Sequence, residues 1–149
     1  MIGFRKIDPE VAMEKNTWFH LGRNSCEEIL YCLRRIADPC EEHVDNNFVP
    51  LSKEQVKEYI PLRDTVLFLL RRTEKILQTD SYDEVDEVRR EAEELKDCLE
   101  KAREAQMQRM QSSKENIAVA YLYLNLLQET RELTSSLRHL LRASKGFRE

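Results

Sequence analysis

Glycine and proline are scarce in this chain, with three glycines and four prolines among 149 residues. Folds rich in β-strands need many tight turns, and those turns favour glycine and proline. Three scattered glycines also cannot build a glycine-rich loop that cradles a phosphate. Charged residues make up 35% of the chain, which suits the solvated outer faces of long helices. The sequence therefore predicts an all-α fold, and its length fits one domain over residues 1–149.

Long apolar runs and an excess of basic residues are also missing. No run approaches the roughly 18 apolar residues that span a bilayer, and the first residues lack the apolar core of a signal peptide. The formal net charge of −4 argues against a general nucleic-acid binder, which usually carries a basic stripe. The four cysteines show no CxxC spacing, which favours free thiols. We therefore expect a cytoplasmic protein without a nucleic-acid partner.

Sequence signatures of catalysis and of metal binding are absent as well. Di-iron helical bundles need Glu-x-x-His, but none of the histidines, His20, His43 and His139, has a glutamate three positions earlier. Cys40 and His43 lie one helical turn apart and could supply two zinc ligands, yet no source of further ligands is evident. No pattern indicates a Ser/His/Asp or Cys/His nucleophile. We therefore expect no enzymatic activity, no catalytic residue, no cofactor and no bound metal.

Capping residues mark where the first two helices begin. Asp8 followed by Pro9 is a typical helix start. The first helix is expected to reach about Asn46, with a kink or a break at Pro39, because proline lacks a backbone donor and crowds the preceding turn. A capping-box pattern at residues 52–55 starts the second helix. These signals predict two long helices joined by a short connection.

Similar signals divide the second half of the chain. A turn at residues 79–81 precedes the third helix, and the fourth is expected from about Lys114 to Ala143. Residues 117–127 are apolar nearly all round, so we expect this half of the last helix to be the most buried element. The tail at residues 145–149 is expected to fray. Four long helices with short connections predict an antiparallel, up-and-down four-helix bundle.

Apolar residues recur at helical spacing and give each helix a predicted buried face. The predicted seam of the first helix is Cys26, Ile29, Leu33, Ile36, Cys40 and Val44. The second helix contains Pro61, where a kink is expected, and has two apolar rows, which implies more than one neighbour. The rows are Tyr59, Leu62, Val66, Leu69 and Ile76, and Ile60, Leu67, Leu70 and Leu77. The third helix has an unbroken heptad seam of Val85, Val88, Ala92, Leu95, Leu99 and Ala102.

One nine-residue pattern occurs twice, near the start and near the end of the chain. Residues 28–36 and 132–140 both read E-[I/L]-x-x-[C/S]-L-R-x-[I/L]. Steps of four and three put the apolar positions on one face of a helix. We therefore expect the first and last helices to be neighbours, with Leu33 and Leu137 buried at equivalent positions of a common core.

Charged residues accompany both copies of the pattern. The weak candidates for a metal-binding carboxylate cluster are Glu27, Glu28, Glu129 and Glu132. They come together if the first and last helices are neighbours. The alternative, which we favour, is that these glutamates pair with arginines. Those arginines are Arg34, Arg35, Arg131 and Arg138, of which Arg34 and Arg138 are expected at the edge of the core with their charged ends in water.

Residues 32–47 read C-L-R-R-I-A-D-P-C-E-E-H-V-D-N-N. This stretch resembles the cytoplasmic C-terminal region of inorganic phosphate transporters, the PiT-type permeases, of Bacteroidetes-like bacteria. A similar helix there carries C-L-x-x-I-x-x-P-x-x-E-H-V-D-N-N. That region is PhoU-like, an all-helical bundle built from repeats, and PhoU proteins regulate phosphate uptake and signalling. The resemblance therefore implies a PhoU-like bundle with a regulatory role.

The resemblance also implies how such a domain acts. It would be a non-catalytic accessory domain at the cytoplasmic face of the inner membrane. Its partner would be the transmembrane permease domain, expected in the same polypeptide, or another copy in a homo-oligomer. Two alternatives stay open: a metal- or ligand-binding PhoU-like protein that uses the glutamates of the first and last helices, and a generic helical interaction module with unrelated partners.

The chain departs from the family at the metal-binding signature. PhoU helices carry a motif close to E-R-I-G-D-H, whose two acidic residues bind metal clusters. Aligned on the repeat, the glutamate position holds Glu27 in the first copy and Arg131 in the second, and the aspartate position holds Tyr31 and Ser135. A hard cation needs several oxygen ligands together. With one of four acidic positions kept, the metal function of PhoU is not expected here.

Overall fold

A computed structural model describes residues 8–46, 48–112 and 114–149. Residues 1–7, the last residue of the permease-like stretch (Asn47) and Ser113 in the predicted last turn lie outside the described residues. The described chain is helical throughout its regular structure and contains no strand, so the all-α prediction is confirmed. The helices are α1 (Pro9–Asp45), α2 (Lys53–Thr79), a 3-10 turn (Tyr82–Glu84), α3 (Val85–Ser112) and α4 (Ile117–Arg148).

Side-chain caps fix where the helices begin. Asp8 and Asn116 each accept a hydrogen bond from a backbone N–H in the first turn of α1 and α4. The predicted capping box of α2 is confirmed: Ser52 accepts from the Gln55 N–H at 3.1 Å, and the Gln55 side chain accepts from the Ser52 N–H at 2.9 Å. These bonds satisfy donors that a helix start otherwise leaves unpaired. Because Asn116 provides the cap, α4 starts after it rather than at Lys114 as predicted.

α4 is the central helix of the bundle. α1 and α3 pack along α4, whereas α2 packs mainly against α3 and less against α4. The first and last helices are antiparallel neighbours, since Lys15 bonds the carbonyl of Phe147 at one end while Arg35 pairs with Glu129 farther along. Paired side chains show the same reversed order between α2 and α3 and between α3 and α4. The four helices therefore form an antiparallel bundle, with the predicted adjacency of α1 and α4.

The core forms mainly where α3 and α4 meet. All six residues of the predicted α3 seam are buried. Val66, Leu69 and Ile76 of the first α2 row join them, but the second α2 row is largely outside, with Ile60 and Leu67 exposed. The prediction of two neighbours for α2 is met by α3 and α4. In the second row, only Leu70 is partly buried and packs against the core.

α1 buries a face that only partly matches the predicted one: Ile29, Ile36 and Cys40 of the predicted seam pack against the core, whereas Cys26, Leu33 and Val44 are exposed. Leu33 is 41% exposed, whereas Leu137 at the equivalent position of the repeat is 2% exposed and Cys32 is fully buried. The prediction for Leu33 is therefore wrong. A Cβ on Gly22 would lie 3.7 Å from the Cβ of Ala143, so α1 approaches α4 closely. Close approach favours small side chains at Gly22, Ser25 and Cys32, and the buried row is Trp18, Gly22, Ser25, Ile29, Cys32, Ile36 and His43.

α1 and α2 continue through their internal prolines. The helix that contains Pro39 runs unbroken from Pro9 to Asp45, so a break at this position is wrong. Pro39 cannot donate to the Arg35 carbonyl four residues earlier. Asn125 of α4 supplies the missing donor, with its Nδ2 3.2 Å from that carbonyl oxygen. The packing partner therefore compensates the lost hydrogen bond.

The two ends of α4 also differ from expectation. Ile117 and Tyr121 are exposed, so the first half of α4 is not the most buried element. Neighbouring helices cover only part of its circumference, although apolar residues surround it. The C-terminal tail remains helical to Arg148, because Gly146 lets the indole ring of Trp18 lie directly against the helix backbone.

Candidate functional site

α1 and α4 meet at Arg35, which bridges two of the four candidate glutamates. Its Nη2 donates to Glu28 Oε1 at 2.9 Å, and its Nε donates to Glu129 Oε2 at 2.9 Å. The hydrogen bond to Glu129 is the main cause that raises the pKa of Arg35. Glu28 and Glu129 therefore come together as predicted for neighbouring helices, and the guanidinium of Arg35 lies between them.

The other two candidate glutamates lie elsewhere. Glu27 pairs with Arg23 at 3.4 Å, one turn earlier on α1, and Glu132 accepts a hydrogen bond from Gln128 at 3.1 Å. Arg138 pairs with a glutamate of α3 instead of one near the repeat. Within residues 8–46, 48–112 and 114–149, no group of three or more His, Cys, Asp or Glu side chains is placed to hold a metal ion.

A buried thiol lies beside the Arg35 bridge. Cys32 Sγ is 3.6 Å from Glu28 Oε1 and 3.7 Å from Arg35 Nη2. Burial, together with the neighbouring carboxylates of Glu28 and Glu129, raises the pKa of Cys32 to about 11 despite the opposing effect of Arg35. The thiol is therefore protonated near neutral pH, and a protonated thiol is a poor nucleophile. This group of residues joins two helices and is not arranged for covalent catalysis.

Cys40 and His43 do not point to a common ligand. His43 is buried, and its Nε2 donates to the backbone carbonyl of Val49 at 2.6 Å. Its ring also lies against that of Phe48, with centroids 5.2 Å apart. Burial raises the pKa of Cys40, which keeps that thiol protonated. His43 therefore fastens the α1–α2 connection to α1, and the two-ligand zinc hypothesis gains no further ligand.

A polar network that the sequence reasoning missed joins α2, α3 and α4. Arg109 of α3 donates from its two Nη atoms to Glu58 of α2 at 3.2 and 3.1 Å. Tyr123 of α4 donates its hydroxyl to the same carboxylate. Burial is the main cause that raises the pKa of Tyr123, with a further contribution from Glu58. One carboxylate thereby holds a cation and a phenol from two other helices.

Two buried amides extend this network. Gln55 Nε2 donates to Gln106 Oε1 at 3.1 Å, and Gln106 Nε2 donates to Glu115 at 2.7 Å. Arg109 also bonds Gln106, from its Nη2 at 2.8 Å. Fully satisfied buried polar groups fix one register between packed helices. A signal was present in the sequence, since Gln106 follows Ala102 at the next step of the apolar α3 seam.

A cleft of about 490 Å³ lies between α1 and α4. Trp18 and Glu28 line it from α1, and His139 and Arg142 line it from α4. The guanidinium carbon of Arg142 is 6.0 Å from the centre of the Trp18 ring, at the limit of a cation–π contact. Mixed apolar and charged walls suit a small amphipathic ligand, which corresponds to the ligand-binding alternative.

The open side of the bundle is a groove of about 390 Å³ between α1 and α2. Ile36 and Cys40 form its α1 wall, Tyr59 and Ile60 belong to its α2 wall, and Leu126 of α4 contributes from beneath. Arg63 is the charged residue of the lining. Because α2 packs on α3 and α1 packs on α4, neither wall closes on the other. This groove is a largely apolar concave surface between α1 and α2.

Comparisons with protein-family models, with curated proteins and with solved structures give no match to this chain. In the described part of the chain, no helix has both the length and the apolarity that crossing a bilayer requires.

Proposed function

We propose that this chain is a PhoU-like, non-catalytic regulatory domain of an inorganic phosphate transporter, acting at the cytoplasmic face of the membrane. The observation that carries the proposal is the position of the permease-like stretch. Residues 32–46 of that stretch form the end of α1, and Ile36 and Cys40 within it line the open groove. The residues that carry the resemblance therefore lie at the surface best suited to docking.

The groove has the form that takes up a helix from a partner. Its walls are two antiparallel helices with exposed apolar residues such as Val56 and Ile60. An amphipathic helix that packs into such a groove removes apolar surface from water on both partners. We propose that the occupant is a cytoplasmic helical segment of the permease. Arg63 at the rim would pair with an acidic residue of that segment.

The polar groups of the bundle support a structural role. Arg35 pairs with Glu28 and Glu129 within the α1–α4 interface, and Arg109 pairs with Glu58 where α2 and α3 meet. These charges hold helices in register and leave no free acid–base pair at either place. A domain whose charges are paired in this way would act by binding a partner at its surface, which suits a regulatory role.

The test is copurification with the permease. Ile60→Glu places a charge in the groove, whereas Met107→Glu places the same charge on α3 at a residue of similar exposure, 40% against 39%. Tagged chain is co-expressed with the PiT-type permease of its source bacterium, and the permease recovered from detergent-solubilised membranes is quantified together with phosphate uptake. We expect Ile60→Glu to lower recovery about tenfold and to alter uptake, because it buries a charge at the interface.

Met107→Glu is expected to behave as the unmodified chain. Circular dichroism confirms that each variant is folded, which an exposed substitution should allow. Failure of the unmodified chain to recover the permease refutes the proposal. Equal recovery by the two variants refutes the groove as the docking surface.

A further inference from the structure

α1 carries a second, largely apolar row that is mostly exposed to solvent. We call this row the outer seam; each of its members except the partly buried Cys40 follows a residue of the buried row by one position. Its steps alternate between four and three residues, the spacing with which one helix packs against another in a coiled coil. Leu30, at its middle, is 67% exposed. The outer seam is Phe19, Arg23, Cys26, Leu30, Leu33, Ala37, Cys40 and Val44.

A charged row borders the outer seam on its solvent side. It consists of His20, Glu27, Arg34 and Glu41, each seven residues after the last. Glu27 contacts Arg23 within α1. Arg34 and Glu41 have no ion pair or hydrogen bond inside the portion of the chain that the structure describes. The row therefore presents charges that another surface can use.

The order of these charges is self-complementary when the helix is reversed. In an antiparallel pair of identical helices, this flank of one copy faces the same flank of the other. Glu27 then lies beside Arg34 of the partner subunit, and Arg34 lies beside Glu27 of the partner subunit. His20 likewise meets Glu41 of the partner subunit. In a parallel pair, the charged row would instead face Gly22, Ile29 and Ile36, which offer no opposite charge.

We propose that two copies of this chain associate through their outer seams as an antiparallel dimer. The two-fold axis passes between Leu30 and Leu33, so that Leu30 packs against Leu33 of the partner subunit and Cys26 against Ala37 of the partner subunit. Apolar packing supplies the affinity, and the charged row sets the direction. The outer seam shares Cys40 with the permease groove, but the dimer forms without the permease and can therefore be tested alone.

The first test asks whether the seam drives association. Sedimentation velocity of the full chain over a range of concentrations is expected to show a monomer–dimer equilibrium. Leu30→Glu is expected to abolish the dimer, because two charges would be buried at its centre. Met107→Glu, on α3, is the control and should leave association unchanged. A chain that remains monomeric throughout, or a dimer that tolerates Leu30→Glu, overturns the proposal.

The second test asks whether the two helices are antiparallel, by exchanging the charges at positions 27 and 34. Arg34→Glu alone places two glutamates together at both Glu27–Arg34 contacts, one on each side of the two-fold axis, and is expected to raise the dimer Kd about tenfold. Glu27→Arg alone should act similarly. The double variant Glu27→Arg/Arg34→Glu restores opposite charges in both pairs and is expected to return the Kd to near its original value. All these positions are exposed, so the fold of each monomer is retained. Additive weakening in the double variant overturns the antiparallel arrangement.

The third test uses cross-linking to find which residues of the two α1 helices lie opposite each other. In the Cys98→Ser background, which removes the exposed thiol of α3, Ala37→Cys introduces a thiol opposite Cys26 of the partner subunit. Mild oxidation is expected to give a covalent dimer of the Ala37→Cys variant and little from the background chain. Efficient cross-linking of the background chain through Cys26 would indicate a parallel pair. That result would overturn the proposal.

Discussion

Leu33 and Leu137 occupy the same position of the repeated motif but different environments. Leu137 is 2% exposed in the central helix, whereas Leu33 is 41% exposed on α1. Leu137→Ala removes fully buried methyl groups and leaves a cavity, so its expected cost is about 3–5 kcal/mol of unfolding free energy. Full burial of a leucine side chain contributes about 1.5–3 kcal/mol, and Leu33→Ala loses only part of this because Leu33 is partly exposed. The substitution also leaves no enclosed cavity, so we expect the unfolding free energy to fall by about 1 kcal/mol or less.

Urea unfolding followed by circular dichroism measures both variants. Protein is kept dilute, so that loss of self-association at Leu33 does not add to the cost in the monomer. The transition midpoint should shift strongly for Leu137→Ala and slightly for Leu33→Ala, with an unchanged dependence on urea. Equal costs for the two variants would refute the assignment of the inner face of α1. The outer seam would then be part of the monomer core.

Two further predictions concern a thiol and two glycines. Unfolding free energy should fall between about pH 9 and pH 11, because folded Cys32 keeps its proton to a pKa of about 11, against 9.0 for an ordinary thiol. Urea unfolding at several pH values should show that the unfolding free energy of Cys32→Ala falls less over this range than that of the unmodified chain. An equal fall in the two proteins contradicts this. A Cβ on Gly146 would lie 2.5 Å from the Trp18 ring, so Gly146→Ala should shift tryptophan fluorescence and lower the melting temperature. Gly22→Ala, whose Cβ has room, should do neither; identical behaviour of the two variants refutes the packing argument.

Local signals predicted the helices because they depend on neighbouring residues. Asp8 and Ser52 are caps that act within one turn, and the sequence alone identified both. The α3 seam was also predictable, since a single apolar row on an otherwise charged helix leaves one choice of buried face. The adjacency of α1 and α4 followed from the repeat. These features needed no knowledge of how distant segments pack.

The buried face of α1 could be predicted only in part from apolarity: Ile29, Ile36 and Cys40 pack against the core as predicted, but Leu33 does not. Two rows run along this helix one position apart, and the row with Leu33 and Val44 is the more apolar. The row with Ser25 and Cys32 is buried because its small side chains allow α1 to approach α4. Shape complementarity between two helices decides this choice. It is a property of the two helices together, and the spacing of apolar residues in one helix does not reveal it.

The candidate site was predicted in part. Neighbouring helices bring Glu28 and Glu129 to Arg35, as charge pairing suggested. The network around Glu58 and Arg109 was missed, because the residues that form it are far apart in sequence and share no spacing. The partners became evident only once α2, α3 and α4 were placed together.

Gln55 serves two helices with one side chain. Its oxygen accepts from the N–H of Ser52 at the start of α2, while its nitrogen donates to Gln106 near the end of α3. Fraying of that first turn would therefore also break the hydrogen bond to Gln106, whose oxygen would then accept from Arg109 alone. Hydrogen exchange at the Ser52 amide is thus tied to opening of the α2–α3 interface. The N-terminus of α2 is therefore expected to open together with the end of α3 that it contacts.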